Sequence, residues 1–430
     1  MRIWSTEVIE HAGEEIEVCG ALHALRALKQ VAFLILRDAR GLVQVVIEDP
    51  ATRELAASLI PETALRVRGR AAAVPQAPGG IEIHAPRLEV LSAAVEQPPV
   101  ELHKPALNVQ LATLLEHAPV ALRHPAQRAL LRLGSLSMAG FRHTLGERGF
   151  TEIQSPKLVA AATEGGANVF AVDYFEQTAY LAQSPQFYKQ LAVGIFERVF
   201  EVGPVFRAEP HATPRHLNQY TSLDVELGFI EDHTTVMALV AETLRGMLAW
   251  IERHGAAELR QLDLALPAVP ASIPSLHFTE AQELILELTG EDCRHEPDLA
   301  PAHERALGAW ARERHGSEFL FVVGYPMSKR PFYTHPDPAR PAYSNSFDLL
   351  FRGLELVTGG QRLHRHADYL AALERQGAAP EPFASYLAAF KHGMPPHGGF
   401  AIGLERWVAQ LTGRANVREV TLFPRDLHRL

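Results

Sequence analysis

Cysteine is nearly missing from this chain: 430 residues carry two, Cys19 and Cys293, far apart and without a CxxC pair. Neither a disulfide framework nor a structural zinc site has enough ligands, so a reducing compartment, the cytoplasm, is expected. Long apolar runs are missing too. No stretch of about 18 apolar residues occurs, and the opening MRIWSTEVIEHAGEEIEVCG lacks a basic region followed by an apolar one. Secretion and membrane spanning are not expected. Positive charge is in deficit: the formal net charge of -9 argues against indiscriminate DNA coating, because counterion release needs a basic surface, but leaves a local nucleic-acid site open. The 21 histidines include no HExxH, and His364 and His366 stand without further grouped ligands, so no His-based metal site is expected. Internal repeats and low-complexity tails are absent. What is present is ample apolar material, 47% hydrophobic, in a length that accommodates two or three domains.

Residues 1–95 read as five short strands, EEIEVCGALHAL, VAFLILRD, GLVQVVIED, ALRVRGRAAAV and GIEIHAPRLEVLS, punctuated by Gly, Pro and Asp turns. Five strands in so short a module suggest a small closed barrel of the OB-fold kind. Residues 96–124, with QPPVELHKPALN, have proline punctuation and weak periodicity and read as a hinge. From residue 125 to 430 the pattern is α+β. AQRALLRLGSLSMAGFRHTLGERGF repeats apolar residues at helical spacing and closes at Gly149 before the extended FTEIQSPKLV. RVFEVGPVFRAE and YTSLDVELGFI form an antiparallel pair across the polar loop PHATPRHLNQ. Helical patterns follow near 232–255 and 300–315, and strands return at EFLFVVGYP, NSFDLLFRG, LELVTGG and GGFAIGLE. Helices packed on an antiparallel sheet are the expected architecture.

Three constellations carry chemistry. Arg207 and Glu209 end one strand on a common face, the loop carries Arg215 and His216, and Tyr220, Asp224 and Glu226 share a face of the return strand. Polar side chains so arranged need water or a ligand, and a solvated sheet face explains them as well as a site does. In SFDLLFRGLELVTGGQRLH, a tight turn at Arg352-Gly353 places Leu350 opposite Glu355 and Asp348 diagonal to it. Close carboxylates of this kind suit Mg²⁺ bridging phosphates, with a pair of solvated edge carboxylates as the alternative. Arg362 has the wrong parity to join Glu355 unless Gly359-Gly360 makes a bulge. The third, GGFAIGLERW, is a glycine-rich strand leading into a helix with Arg406 in its first turn, a pattern that close packing alone also explains.

Together these segments resemble the catalytic domain of class II aminoacyl-tRNA synthetases over essentially the whole chain. The helix and FTEIQSPK, with Pro156, resemble motif 1 (about 126–160); FRAE…RHLNQYTSLDVE resembles motif 2 (about 197–230); GGFAIGLERW resembles motif 3 (about 397–412). An OB-fold in front of them indicates the subclass for aspartate, asparagine and lysine. LAQSPQFYKQ is similar to the QSPQxxKQ element of the aspartate enzymes, and TGGQRLH to the SGGQRIH run of their compact archaeal-type branch.

The resemblance implies the cofactor set ATP and Mg²⁺, and a division of roles. Arg207 would bind the α-phosphate and the attacking carboxylate, and Arg406 the γ-phosphate. Glu209 would accept from the adenine amino group, Tyr220 stack on the ring, and His216 close over the phosphates. Asp348 and Glu355 would hold the metal. Around L-aspartate, Arg362 and Lys189 would meet the β-carboxylate, Asp224, Gln186 and Ser184 the ammonium end, and Glu164 would belong to a covering loop. A buried Arg and Lys would lose a charge partner on meeting asparagine's amide, enough for rejection of about 10⁴ without editing.

In the barrel, Phe33, Ile35 and Arg37 share a face and Gln44 lies on the next strand. A phenylalanine there is ordinarily core, but Phe33 and Gln44 match the family's anticodon-reading residues. Arg26 matches an arginine after the first strand, although its Arg-Asp-hydrophobic-Gly continuation is here Arg26-Ala27-Leu28-Lys29. The implied partners are tRNA(Asp), a second copy in a homodimer, and no membrane or DNA. Ala21, where tryptophan is usual, and the loop Pro75-Gln76-Ala77-Pro78-Gly79-Gly80 could relax or tighten anticodon reading; relaxed reading, extending to tRNA(Asn), is the expectation. An asparaginyl-tRNA synthetase, or a paralogue acting without tRNA, is the alternative.

Overall fold

The structure is a computed structural model that describes residues 2–160 and 168–430; Glu164 therefore lies outside the described residues. The backbone divides into two compact units, Met1–Arg128 and Ala129–Leu430.

In the first unit, β1 (Glu15–Ala27), β2 (Ala32–Arg37), β3 (Leu42–Ile47), β4 (Ala64–Ala73) and β5 (Ile81–Ser92) run in the order β1-β2-β3-β5-β4 and close through a β1–β4 pairing. Alternation explains the barrel's inside: Leu34 and Leu36 of β2, Val45 and Ile47 of β3, and Leu65 and Val67 of β4 are fully buried, whereas Phe33 and Ile35 are only half-buried. Phe33 is thus not core. A short strand, Arg2–Ile3, adds to β1. A helix over Pro50–Ser58, capped by Asp49 accepting from the Thr52 N–H, joins β3 to β4 and lacked a sequence expectation. Residues 96–124 are more structured than their proline content suggested. Two short helices, Leu111–Glu116 and Ala118–Ala121, help build a small cluster of Val100, Leu102, Leu114 and Ala121.

The second unit is built on an eight-stranded sheet of β6 (Thr151–Glu152), β7 (Arg198–Phe206), β8 (Gln219–Gly228), β9 (Ser275–His277), β10 (Phe319–Val323), β11 (Ser346–Phe351), β12 (Leu354–Gln361) and β13 (His397–Gly403). Its order is β9-β10-β11-β12-β13-β8-β7-β6, antiparallel except at the two edges. Helix α1 (Pro125–Gly146) buries Leu130, Leu133, Leu136, Phe141 and Leu145 in the core, the stripe its periodicity predicts. Helix α2 (Gln186–Phe196) packs on β7 and β8. Helix α3 (His233–His254) is long and apolar enough to cross a membrane by length and composition, although charged residues interrupt its apolar run. Its Val236, Val240, Leu244, Met247 and Ile251 are nonetheless fully buried in the same core as the sheet. Helix α4 (Pro301–His315) lies against β10 and β12, and α5 (Leu404–Leu411) follows β13 directly. A separate three-stranded sheet pairs Gln177–Leu181 with Leu158–Val159 and Ala171–Tyr174.

The register makes the second constellation concrete. Arg352 and Gly353, with φ of 51° and 74°, form the tight two-residue turn, and Leu350 pairs with Glu355. The expected diagonal is altered because the register shifts between Leu349 and Leu350, so Asp348 faces Thr358. This bulge, not Gly359-Gly360, changes the parity and turns Arg362 toward the side of Glu355. The glycine pair does different work. A Cβ on Gly359 would stand 2.4 Å from the Phe347 ring, and one on Gly360 2.7 Å from the Asn345 carbonyl, so both serve close packing.

Candidate active site

One cavity of about 460 Å³ opens over the middle of the sheet and is lined by residues of all three constellations. Arg207, Glu209, His216, Tyr220, Glu355 and Arg406 line it, as do Ser184, Gln186, Lys189, Asp224 and Arg362. Asp348 lies behind the wall, paired with the lining residue Arg330 at 3.1 Å. Arg26, Phe33 and Gln44 belong to the barrel.

The half of the cavity toward β7 and α5 is rich in arginine. Arg207 and Glu209 sit just past the end of β7 and not on the strand, a correction to the strand reading. Asn218 holds this turn by donating from Nδ2 to the Arg207 and Glu209 carbonyls. The Arg207 guanidinium lies 5.6 Å from the Tyr220 ring centroid and 4.0 Å from Glu209, whose other oxygen meets His216 at 3.4 Å. Burial holds the His216 imidazole below its ordinary pKa, with Glu209 opposing. Arg406 donates to the Glu355 carbonyl at 2.8 Å and stands 3.7 Å from its carboxylate. Thr358 Oγ1 donates to Glu355 at 3.0 Å. Burial pushes Glu304 up to about 7, and Arg215 lies 3.6 Å from it.

The other half is a buried charge cluster. Lys189 Nζ, on α2, is 3.0 Å from Asp224 and 3.4 Å from Glu226, and Arg362 Nε donates to Glu226 at 3.0 Å. These four side chains are 0–9% exposed. Burial works against the Glu226 charge, but Arg362, Lys189 and His397 outweigh it and hold the carboxyl below its ordinary value. Arg362 also donates from Nη2 to the Gly399 carbonyl at 3.1 Å. Glycine is required at 399 by this packing: a Cβ there would stand 2.2 Å from Glu226 Oε2 and 2.0 Å from the Val225 carbonyl. Gln190 supports the cluster, its Oε1 accepting from the Tyr369 and Tyr386 hydroxyls and lying 3.1 Å from Nε2 of His397.

Two readings change. Neither Arg362 nor Lys189 awaits a ligand as an uncompensated charge, since Glu226 and Asp224 already neutralise them. Glu226, read only as one more polar residue on its strand, is the anchor of Arg362. Arg330 was missed because SKRPFY has no periodic pattern, and Glu304 because its helix reads as merely amphipathic. Among the described residues no group of three or more His, Cys, Asp or Glu side chains is arranged to hold a metal. The Asp348–Glu355 pair remains, and it fits a hard cation: Asp348 is 6% exposed, its Oδ1 makes no hydrogen bond among the described residues, and burial raises its pKa to about 6.

An arginine-rich pocket suits a reaction run by positioning and charge neutralisation, and the sheet that carries it, with an OB-fold barrel in the same chain, is that of the class II synthetases. Comparison with known proteins agrees. The family model for class II tRNA synthetases (D, K and N) matches residues 110–427, and the OB-fold nucleic acid binding domain matches residues 16–91. The chain is 49% identical over 430 residues to the aspartate–tRNA(Asp/Asn) ligase of Thermus thermophilus, covering all of both chains. It is 45% identical to the ligase of the same name from Deinococcus radiodurans, covering 100% of this chain and 98% of that one. Asparaginyl-tRNA synthetase of Pyrococcus horikoshii, complexed with asparaginyl-adenylate, superposes with a TM-score of 0.92 at 30% identity, covering 100% and 99%. The chain belongs to the class II tRNA synthetases of the D, K and N group.

The packing at Gly399 gives a direct test. Gly399→Ala should displace Glu226 and cost about 2–4 kcal/mol of stability, whereas Gly403→Ala, whose Cβ would meet nothing closer than 3.8 Å, should change it by less than about 0.5 kcal/mol. Urea unfolding of the two variants measures both, and equal stabilities would refute the assignment.

Proposed function

We propose that the protein activates L-aspartate with ATP and transfers it to tRNA(Asp) and tRNA(Asn). The observation that carries this reading is the Lys189–Asp224–Glu226–Arg362 cluster beside the arginine-rich half of the same cavity; the names of the relatives support it. Aspartate's α-carboxylate is ionised near neutral pH and needs no base. Its oxygen attacks the α-phosphorus, the bond to the β-phosphate bridging oxygen breaks, and pyrophosphate leaves aspartyl-adenylate. A ribose hydroxyl at the tRNA 3′ end then attacks the acyl carbon, and AMP leaves.

Arg207 binds the α-phosphate and attacking carboxylate, with Tyr220 and Glu209 taking the adenine. Arg406 and His216 meet the outer phosphates. Asp348 and Glu355 would hold Mg²⁺, which would supply charge neutralisation of the phosphate oxygens. Asp224, Gln186 and Ser184 take the ammonium end; Gln186 is 5% exposed with Nε2 lacking an acceptor among the described residues. Arg362 and Lys189 present only donors to the side-chain carboxylate. Asparagine's amide would set donors against donors in a dry site, a mismatch sufficient for strong rejection. Glu164 retains its family role as a proposal only.

In the barrel, Arg26 pairs with Phe33 across β1 and β2, Ile35 with Gln44 across β2 and β3, and Gln44 donates to Glu82 at 2.7 Å. Arg26, Phe33 and Gln44 therefore share the outer face, a surface suited to stacking anticodon bases. A homodimer is supported by the exposed apolar side chains of Ile195, Phe196 and Phe229 beside the β7–β8 ends, and a cytosolic location by the two free thiols.

Aspartate-dependent ATP–pyrophosphate exchange should occur, stop on chelation of Mg²⁺, and fall by about 10²-fold or more in Arg362→Ala; exchange driven by asparagine instead would overturn the substrate assignment. Aminoacylation should proceed on purified tRNA(Asp) and tRNA(Asn) with similar kcat/KM, and Phe33→Ala should raise KM about tenfold for both; a strong preference for tRNA(Asp) would refute the relaxed reading. Sedimentation should give a dimer at micromolar concentration and fractionation a cytosolic protein, against which a monomer or a membrane-bound pool would count.

A further inference from the structure

Helix α4 lies outside all three motifs, yet one of its side chains meets two residues that line the arginine-rich half of the cavity, Arg215 and Glu355. Glu304, in its first turn, is 5% exposed. Oε2 accepts from the backbone N–H of Glu355 at 3.1 Å and lies 3.6 Å from Nη1 of Arg215. The helix can come this close because two glycines meet. A Cβ on Gly308 would stand 2.5 Å from both Cα and N of Gly353, and one on Gly353 would stand 2.9 Å from Cα of Arg305. The turn that presents Glu355 is therefore clamped directly on α4, with Glu304 as its polar contact.

We propose that Glu304 is a positioning residue of the ATP site: a single buried carboxylate that, with Arg406 at the Glu355 carbonyl, holds the backbone of Glu355, and that anchors Arg215, a loop arginine lining the same cavity. The proposal rests on the nucleotide reading given above. Glu355 is the last residue before the strand bulges, where the ladder alone leaves its backbone weakly constrained. Arg215 comes from the loop between β7 and β8, whose backbone is held beside it by the Val417 N–H at the Pro214 carbonyl and by Arg418 at the Thr213 carbonyl, while its guanidinium extends beyond these contacts to Glu304. An external tether holds the Glu355 carboxylate and the Arg215 guanidinium at a constant place, and pre-organised charged groups are what a charge-neutralising site requires. Glu304 meets both with the same carboxylate. A glutamine here would keep an acceptor for the Glu355 N–H and lose the charge facing Arg215, so the two contributions separate.

The test is steady-state ATP–pyrophosphate exchange with the full chain, wild type against Glu304→Ala, Glu304→Gln, Arg215→Ala and the double variant Glu304→Gln/Arg215→Ala. Glu304→Ala should raise KM for ATP about tenfold or more while leaving KM for aspartate within about twofold. Glu304→Gln should raise KM for ATP by about threefold to fivefold, and its effect should vanish in the Arg215→Ala background, because contacting residues couple. If Glu304→Ala does not fold, the glutamine variant and the double-variant comparison still decide. Equal changes in the two KM values, no change, or additive effects of Glu304→Gln and Arg215→Ala would overturn the proposal. Absence of exchange in the wild type would instead remove the nucleotide reading on which it rests.

Discussion

The buried ion pair between Arg362 and Glu226 is the constraint around which the second unit is arranged. A charge taken into a protein interior is tolerated only with a partner and with its remaining hydrogen bonds met. Here Glu226 is wholly enclosed, and both Arg362 and Lys189 face it. Breaking the set by removing one member leaves another charge stranded, which costs several kcal/mol. The backbone has been shaped to avoid that. Gly399 gives its Cβ space to the Glu226 carboxylate and its carbonyl to Arg362, and Gly360 lets β12 run close to β11. Helix α2 must lie where Lys189 can reach Asp224. Sheet order, glycine placement and helix position thus answer to one electrostatic demand.

That demand also bears on specificity. With two cations matched by two carboxylates, the amino-acid half is close to neutral before anything binds. A guanidinium whose plane is already set by Glu226 and the Gly399 carbonyl cannot reorient to suit an amide. On the proposed reading, selectivity would follow from rigidity of donors more than from unspent charge, as electrostatic pre-organisation requires.

Much of this was legible in the sequence, because it lay in local chemistry. The hairpin turn at Arg352-Gly353, the pairing of Leu350 with Glu355, the helix over 125–146 and the five barrel strands all follow from turn residues and periodicity. What escaped depends on contacts distant in sequence. The bulge falls at an ordinary Leu-Glu-Leu-Val run, while the conspicuous Gly359-Gly360 pair serves packing, so glycine was a poor guide to where parity changes. Glu226 could be assigned a face but not a partner, since Arg362 is 136 residues away. Glu304 sits in a helix whose pattern gives no sign that one residue faces a site. Phe33 is an intermediate case, as its outward direction follows from strand parity once the buried face is known, and the sequence alone does not say which face that is.

The two halves of the cavity treat the same chemistry in opposite ways, and burial decides which. In the amino-acid half the cation–carboxylate contacts are 3.0–3.4 Å and 0–9% exposed; screening is weak there, and separating the partners would be expensive. In the arginine-rich half Arg207–Glu209 and Arg406–Glu355 stand 3.7–4.0 Å apart, with the arginines 24–39% exposed. Such pairs are individually worth little in water-accessible surroundings. An incoming polyanion can therefore take over the arginines at small cost, whereas an incoming amino acid must fit donors that will not move. On the proposed reading, a site that exchanges its ion pairs on one side and keeps them on the other would hold ATP by charge and select its second substrate by shape. The net charge of -9 is no obstacle, because the attraction is local to the arginines of one half and is felt only within about a Debye length of them.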